Sequence, residues 1–275
     1  MKLKILKPNG WCAGVQHSVN QLNKIINQHP DKQIYLFGDL VHNHAIMDDF
    51  YKSGVQVIKD LQLIKNKQAV VVFPAHGVPI KELAYAKANF KYVYDLTCKI
   101  LLTNYRTIKK LSTRYSILYY GYKNHPESKA ILSLNNRISL VSDSSKIKPN
   151  KKYALVNQST IPLSVVKIAF DKLILQAPQI EYFPTTCRAA QLRHNVIVSL
   201  RNIDCLLVCG DEKSNNTIEL VNLAQQHRIS AMLISNELGA HHFQPRKNTR
   251  YAIISGTSIQ PSFFKLICKI LKNKK

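Results

Sequence analysis

The sequence predicts an α/β protein made of three similar α/β units, each giving one cysteine to a common centre. Short segments rich in β-branched and aromatic residues alternate with longer segments of helical periodicity throughout the 275 residues. Three isolated cysteines each follow a predicted strand and precede a predicted helix, and they divide the chain into near-equal thirds. Polar side chains follow other predicted strands, as expected where parallel α/β sheets bind ligands.

The composition is that of an ordinary globular protein, because hydrophobic residues make up 45% of the chain. The first residues, MKLKILKPNG, lack the apolar run of a secretion signal. No sequence segment approaches the uninterrupted apolar length of a membrane span, so no membrane partner is expected. We therefore predict a cytoplasmic protein.

The formal net charge of +23 admits two interpretations. One is a nucleic-acid-binding surface. The other is a general lysine-rich bias, which we favour because the basic residues are scattered and the sequence has no basic helix or RNP-type aromatic motif. A basic protein would still attract an anionic substrate or an acidic redox partner.

The six cysteines fall into two groups. A cytoplasmic chain of this size keeps its thiols reduced, and the absence of a CxxC motif argues against a zinc finger. Cys205 and Cys209 lie in the apolar strand pattern DCLLVCG, and Cys268 lies in the apolar helix pattern FFKLICKIL. Buried packing explains these three cysteines better than metal binding does.

The other three cysteines share one sequence context. Cys12 lies in GWCAGVQHSV, Cys98 follows KYVYDLT, and Cys187 follows IEYFPTT. They are 86 and 89 residues apart, which suggests α/β units at residues 1–97, 98–186 and 187–275. A helix N-terminus favours the thiolate, the form of cysteine that binds metals. Three buried structural cysteines are the alternative interpretation.

Other predicted strand ends carry histidines, hydroxyls, amides and one glutamate. With helix N-termini beside them, such groups suit a phosphate or diphosphate. Glu127 would be a proton donor if its site is dry, or otherwise an ordinary first-turn glutamate favoured by the helix dipole. The residues at these strand ends are His42, His76, His125, Glu127, Gln158, Ser159, Thr160, Ser214, Asn215, Asn216, Thr257 and Ser258.

This arrangement resembles the 4-hydroxy-3-methylbut-2-enyl diphosphate reductase family, also called the IspH/LytB family. The resemblance runs from Cys12 to about Ser258, and its short motifs are specific in their order and spacing. It implies three α/β units with pseudo-three-fold symmetry around a central iron–sulfur site. The matching segments are PNGWCAGV, LVHN, AHGV, DLTC, HPE, Gln158-Ser159-Thr160, the segment around Cys187, Ser214-x-Asn216 and Gly256-Thr257-Ser258.

The resemblance also implies roles for individual residues. Cys12, Cys98 and Cys187 would hold a 4Fe-4S cluster, leaving one iron without a protein ligand. That iron would bind the substrate's allylic hydroxyl as a Lewis acid. Ser159, where the family usually has threonine, would lie near this hydroxyl, and Glu127 would deliver protons. The diphosphate would be bound by His42, His76, His125, Ser214, Asn215, Asn216 and Ser258.

The implied reaction is a two-electron reductive dehydroxylation, the last step of the methylerythritol phosphate pathway of isoprenoid biosynthesis. The hydroxyl leaves as water, and the products are isopentenyl diphosphate and dimethylallyl diphosphate. The resemblance implies that a ferredoxin or flavodoxin supplies the electrons. An acidic donor of this kind would fit the +23 charge.

Several positions depart from the family pattern. Lys99 stands where the family usually has proline. After the third cysteine the family usually has tyrosine and then threonine, whereas this chain has Arg188, Ala189 and Ala190. Lys213 and Asn215 replace an asparagine and a serine of the diphosphate site, and His17 replaces a common arginine. Because the three cysteines, the three histidines and the glutamate are all present, we favour an active but divergent reductase over a degenerate relative.

Two other classes of protein stay open. One is a non-catalytic iron–sulfur sensor or carrier built on the same fold, in which Glu127→Gln would change little. The other is a basic nucleic-acid-binding protein with structural cysteines, which would bind nucleic acid in a salt-sensitive manner and hold no iron.

Overall fold

The structure, a computed structural model, describes residues 2–142 and 147–274. Strands and α-helices alternate along these residues, and one 3-10 helix lies at Leu61–Leu63. In chain order the strands and α-helices are β1 (Leu3–Ile5), α1 (Ala13–Gln28), β2 (Ile34–Phe37), α2 (His44–Lys52), β3 (Gln56–Ile58), β4 (Val70–Phe73), α3 (Ile80–Asn89), β5 (Tyr92–Asp95), α4 (Lys99–Leu111), β6 (Ser116–Tyr120), α5 (Pro126–Leu132), β7 (Ile138–Leu140), β8 (Tyr153–Asn157), α6 (Leu163–Leu173), β9 (Ile180–Tyr182), α7 (Arg188–Val198), β10 (Cys205–Cys209), α8 (Asn215–Gln226), β11 (Ser230–Ile234), α9 (Glu237–His242), β12 (Tyr251–Ser255) and α10 (Pro261–Lys272).

The chain divides into two compact units. The first unit contains the described residues within Met1–Ala13, His42–His44 and Cys187–Lys275. Its sheet has the strand order β1-β12-β10-β11, and every neighbouring pair of strands is parallel. The first strand of the chain therefore pairs with the last one, with Leu3 opposite Tyr251.

The second unit contains the described residues within Gly14–Val41 and Ala45–Thr186. It holds two sheets, with strand orders β3-β2-β4-β5 and β7-β6-β8-β9, and all pairs in both are parallel. The predicted α/β class is confirmed, in the form of three four-stranded parallel sheets. Parallel strands need crossover connections, and the predicted alternation of strands with helices supplies them.

The central strands form the cores of the two units. Every residue of β4, β8, β10 and β12 is buried, as expected for parallel strands covered on both faces. In the first unit Cys205 and Cys209 pack with Phe264, Ile267 and Leu271 of α10 in one apolar cluster. Cys268 belongs to the same cluster, so the prediction of buried packing for these three cysteines is confirmed.

The carboxyl ends of the strands carry the polar residues singled out in the sequence. In each sheet these ends share one edge, because all the strands are parallel. β1 leads into Cys12, β5 into Cys98 and β9 into Cys187, and a helix begins directly after each cysteine. The predicted strand-to-helix context of the three cysteines is therefore confirmed. No helix among the described residues is both long enough and apolar enough to cross a membrane.

Candidate active site

Two of the three isolated cysteines belong to the first unit. Cys12 directly precedes α1, and its backbone N–H donates a hydrogen bond to the carbonyl oxygen of Thr257 at 3.0 Å. Cys187 is the N-cap residue of α7, and its carbonyl oxygen accepts a hydrogen bond from the N–H of Gln191 at 2.8 Å. Neither thiol is in a disulfide, and both are partly exposed.

The N-terminus of α8 carries the predicted anion-binding residues of the first unit. Ser214 is the N-cap residue, and Asn215 is the first residue of the helix. Asn216 is buried, and neither polar atom of its amide has a hydrogen-bond partner among the residues that the structure describes. Because buried amides are normally hydrogen-bonded, this one favours a polar ligand at the helix N-terminus.

Two glycines allow α8 to approach the ends of β10 and β12. A Cβ atom on Gly210 would lie 2.3 Å from the hydroxyl oxygen of Thr217, and one on Gly256 would lie 2.5 Å from the same oxygen. Any other residue at either position would push the helix away. The close approach places the amide of Asn216 beside Gly256.

A segment from the loop after β2 joins the first unit. The side-chain amide of Asn43 donates to the carbonyl oxygen of Ser258 at 3.1 Å, and the Ser258 hydroxyl donates to the carbonyl oxygen of His42 at 3.3 Å. Asp211 accepts hydrogen bonds from the backbone N–H and from Nδ1 of His44, at 3.0 and 2.6 Å. These bonds bring His42 and Ser258 together, and they fix the segment to the loop that leads to α8.

In the second unit, Cys98 and His76 lie at neighbouring strand ends. Cys98 is the N-cap residue of α4, and its N–H donates to the carbonyl oxygen of Ala75 at 2.9 Å. His76 follows Ala75, and its Nε2 lies 2.9 Å from the carbonyl oxygen of Asp39. The structure therefore places the predicted cysteine and histidine of this sheet next to each other.

His125 caps the short helix α5 with its ring. Its Nδ1 accepts a hydrogen bond from the N–H of Glu127 at 3.2 Å. A neutral imidazole that accepts at Nδ1 carries its proton on Nε2. The second nitrogen is therefore a hydrogen-bond donor, which is the polarity that an anionic ligand requires.

Glu127 lies in the first turn of α5 and is only 3% exposed. Its Oε1 accepts from the N–H of Ser159 at 2.7 Å, and its Oε2 accepts from the Ser159 hydroxyl at 2.6 Å. Burial raises the pKa of Glu127 to about 7, and the hydrogen bonds from Ser159 and from Tyr119 oppose this rise. The carboxyl can therefore hold or release a proton near neutral pH.

Two tyrosines surround this carboxyl within the second unit. The hydroxyl of Tyr119 donates to Oε1 of Glu127 at 3.5 Å. Burial raises the pKa of Tyr105 well above its ordinary value, and the charge of Glu127 raises it further. Gly77 has a φ of +77°, and a Cβ there would lie 2.1 Å from the hydroxyl oxygen of Tyr105. Both tyrosines stay protonated, so they shield the carboxyl without adding charge.

The three thiols suit an iron–sulfur cluster by their chemistry. Cys12, Cys98 and Cys187 form no disulfide, are partly exposed and lie next to helix N-termini, whereas the other three cysteines are buried. Among the described residues, no three His, Cys, Asp or Glu side chains form a site for a metal ion. A cluster binds each thiolate through a different iron, so its ligands need not converge on a single ion.

The sequence interpretation missed three residues at these strand ends: Arg193, Tyr105 and Asp211. Arg193 shares the buried face of α7 with Ala190 and Ile197, at spacings of three and four residues. A charged residue in an apolar helical stripe is a signal that could have identified it. Tyr105 and Asp211 carry no such signal, because their importance depends on contacts between distant segments.

The fold and the polar residues at its strand ends define an α/β protein of three parallel sheets with candidate thiolate and anion ligands. The model of the LytB protein family matches residues 3–272, so this chain belongs to the LytB family.

Several relatives carry the name 4-hydroxy-3-methylbut-2-enyl diphosphate reductase. The one from Malacoplasma penetrans (strain HF-2) is 30% identical over an alignment of 255 residues, and the match covers 86% of this chain and 85% of that protein. The one from Dictyoglomus turgidum (strain DSM 6724 / Z-1310) is 27% identical and covers 99% of this chain and 97% of its own.

Two solved structures share the fold. The E-1-hydroxy-2-methyl-but-2-enyl-4-diphosphate reductase from Plasmodium falciparum has a TM-score of 0.89 at 24% identity, over 99% of this chain and 88% of that one. A second structure, of an (E)-4-hydroxy-3-methyl-but-2-enyl diphosphate reductase, has a TM-score of 0.69 at 21% identity, over 99% of both chains. At these identities the likeness is one of fold.

Proposed function

We propose that this protein is an active 4-hydroxy-3-methylbut-2-enyl diphosphate reductase. The reaction takes one substrate molecule, two electrons and two protons, and it gives one water and either isopentenyl or dimethylallyl diphosphate. Membership of the LytB family over nearly the whole chain supports the proposal, as do relatives of that name. The observation that carries it is the buried Glu127, hydrogen-bonded to Ser159 and titrating near neutral pH.

The proposed cluster ligands are Cys12, Cys98 and Cys187. When bound, a 4Fe-4S cluster would supply electrons one at a time and an iron without a protein ligand as a Lewis acid for the hydroxyl. None of these thiols is in a disulfide, and each lies directly before a helix N-terminus, which supports this assignment. We place the protein in the cytoplasm, where thiols stay reduced.

The proton donor in this proposal is Glu127. Oε1 accepts from the N–H of Ser159 and from the hydroxyl of Tyr119, so the acidic proton belongs on Oε2. The Ser159 hydroxyl lies 2.6 Å from Oε2 and can accept that proton's hydrogen bond by rotating. Its own proton then becomes available to a leaving hydroxyl. A serine therefore serves the relay as well as the threonine that the family usually has.

The proposed diphosphate ligands are polar side chains at strand ends and helix N-termini. Asn216 contributes a buried amide at the start of α8, and His125 contributes a protonated Nε2. The departures at Lys213 and Asn215 keep groups that can bind an anion. The full proposed set is His42, His76, His125, Ser214, Asn215, Asn216 and Ser258. We further propose an acidic electron donor, a ferredoxin or flavodoxin, to complement the charge of +23.

The first experiment measures iron and acid-labile sulfide per chain in protein purified without oxygen, followed by turnover of the diphosphate with a chemical reductant. About four of each and formation of the two products would support the proposal. A full cluster without turnover would indicate a carrier or sensor. Little iron after anaerobic reconstitution would overturn the cluster assignment.

A further inference from the structure

The first unit contains a buried guanidinium without a carboxylate partner. Arg193 is only 2% exposed, and its Nε donates to the carbonyl oxygen of Ser255 at 2.9 Å. Nη1 donates to the carbonyl oxygen of Ala189 at 3.0 Å, and Nη2 donates to that of Gly10 at 2.7 Å. Among the described residues no Asp or Glu forms an ion pair with it. Burying an unpaired charge is costly, so fold stability alone does not account for this residue.

The three acceptors of Arg193 lie beside two of the proposed cluster ligands. Gly10 is two residues before Cys12, and Ala189 is two residues after Cys187. The Ser255 hydroxyl also accepts from the N–H of Gly10, at 2.6 Å. The guanidinium therefore bridges the backbone segments that carry the two thiols.

The charge of Arg193 acts on these thiols through a nearly dry interior. Burial lowers the pKa of the guanidinium, while the thiolate charges of Cys12 and Cys187 raise it. Burial and, to a smaller extent, the charge of Arg193 lower the pKa of His194 to about 4. At neutral pH this pair of residues therefore carries one positive charge, and that charge belongs to Arg193.

We propose that Arg193 is a positioning residue of the iron–sulfur centre, and that its fixed positive charge raises the cluster's reduction potential. This inference rests on the proposed function, because it requires the cluster. Reduction adds one electron near the cation, and a buried charge is little screened by solvent or salt. Removing the charge therefore disfavours reduction and makes the potential more negative.

The test compares four variants of the anaerobically reconstituted protein. Arg193→Met removes the charge and the hydrogen bonds, Arg193→Gln keeps two amide hydrogens without charge, and Arg193→Lys keeps the charge. The matched control is Arg201→Met, since Arg201 is an exposed arginine that also donates to backbone carbonyl oxygens, those of Val198 and Leu200. For each variant, iron and sulfide are counted and the midpoint potential of the cluster is measured by redox titration.

We expect Arg193→Met and Arg193→Gln to shift the one-electron equilibrium at least tenfold toward the oxidised cluster, a fall of about 59 mV. Arg193→Lys and Arg201→Met should keep the original potential. If the role of Arg193 were purely structural, its variants would hold less cluster, but the midpoint potential of the remaining cluster would not depend on the charge at position 193.

An Arg193→Gln protein with a full cluster and the original potential would overturn the inference. If Arg193→Met loses its cluster, the result for Arg193→Gln decides the test. If no form of the protein holds iron, both the inference and the proposed function fail. If the cluster forms and the potential follows the charge, but no diphosphate is reduced, only the proposed function fails.

Discussion

Two buried ionisable side chains, one in each unit, differ in how burial affects their protonation. In the first unit, Arg193 donates to three backbone carbonyl oxygens and keeps its charge despite burial. In the second unit, Glu127 accepts two hydrogen bonds from Ser159, yet burial still raises its pKa to about 7. A guanidinium does not release its proton in a protein, whereas a carboxyl does. Arg193 therefore supplies a constant charge within the first unit, and Glu127 supplies a transferable proton within the second unit.

The largest expected effect comes from removing the transferable proton. Glu127→Gln keeps the shape of the side chain but cannot deliver a proton, so turnover of the diphosphate should fall by about 10²- to 10⁴-fold. The iron and sulfide content should stay at the level of the unaltered protein. Turnover by the unaltered protein should also fall above pH 7, because Glu127 loses its proton there. Full turnover by the variant would show that the proton comes from elsewhere.

The two groups should also differ in how stability depends on pH. The pKa of Glu127 is about 7 in the folded protein against an ordinary value of 4.5. Its stabilising effect is complete below pH 4.5 and is lost as pH rises through 7, a change on the order of 3 kcal/mol. Glu127→Gln has no carboxyl to ionise and should not lose this stability. As pH rises, its free energy of unfolding should therefore increase relative to that of the unaltered protein. The effect of Arg193→Met should be the same at every pH.

Urea unfolding at pH 5, 6, 7 and 8 measures these differences. Parallel pH profiles for the unaltered protein and Glu127→Gln would contradict the raised pKa. A pH-dependent effect of Arg193→Met would contradict the view that its charge is fixed.

A smaller effect is expected from disturbing the surroundings of the carboxyl. Gly77→Ala places a methyl group against the Tyr105 hydroxyl, whereas Gly54→Ala meets no atom within 4 Å, although both glycines have positive φ. We expect Gly77→Ala to reduce the free energy of unfolding by about 2 kcal/mol more than Gly54→Ala does. Equal losses in thermal or urea unfolding would mean that Tyr105 moves aside freely.

The smallest expected effect is a change in KM when the neutral, buried amide of Asn216 is removed. Asn216→Leu removes a hydrogen-bonding group that lacks a partner among the described residues, so KM for the diphosphate should rise about tenfold while Tm does not fall. Gln225→Leu, which removes an exposed amide from the same helix, is the control for both measurements. A lower Tm with an unchanged KM would indicate a structural role for Asn216.

The sequence predicted the fold class and the context of its three isolated cysteines, because those depend on local patterns. Apolar runs such as VVVF and CLLVC predict buried parallel strands even when the strands that pair with them are unknown. The boundaries proposed at 97/98 and 186/187 stay a prediction, as do the roles of the site residues. The pairing of β1 with β12 and the hydrogen bonds of Arg193 to Gly10 and Ser255 could not be predicted, since both depend on segments far apart in the chain.

The pairing of β1 with β12 also has a consequence for the order of biosynthesis. Leu3–Ile5 can join its sheet only after Tyr251–Ser255 has left the ribosome. The first strand to be synthesised therefore stays unpaired until the last strand has been synthesised. The segments of the second unit, within Gly14–Val41 and Ala45–Thr186, are all synthesised before β12 is made. The loop that carries Cys12 stays unanchored until synthesis is almost complete, because Cys12 is tied to Thr257. Under the proposed function, a cluster at Cys12 would therefore form only late in synthesis, and a chain that stalls early would expose the Cys12 thiol.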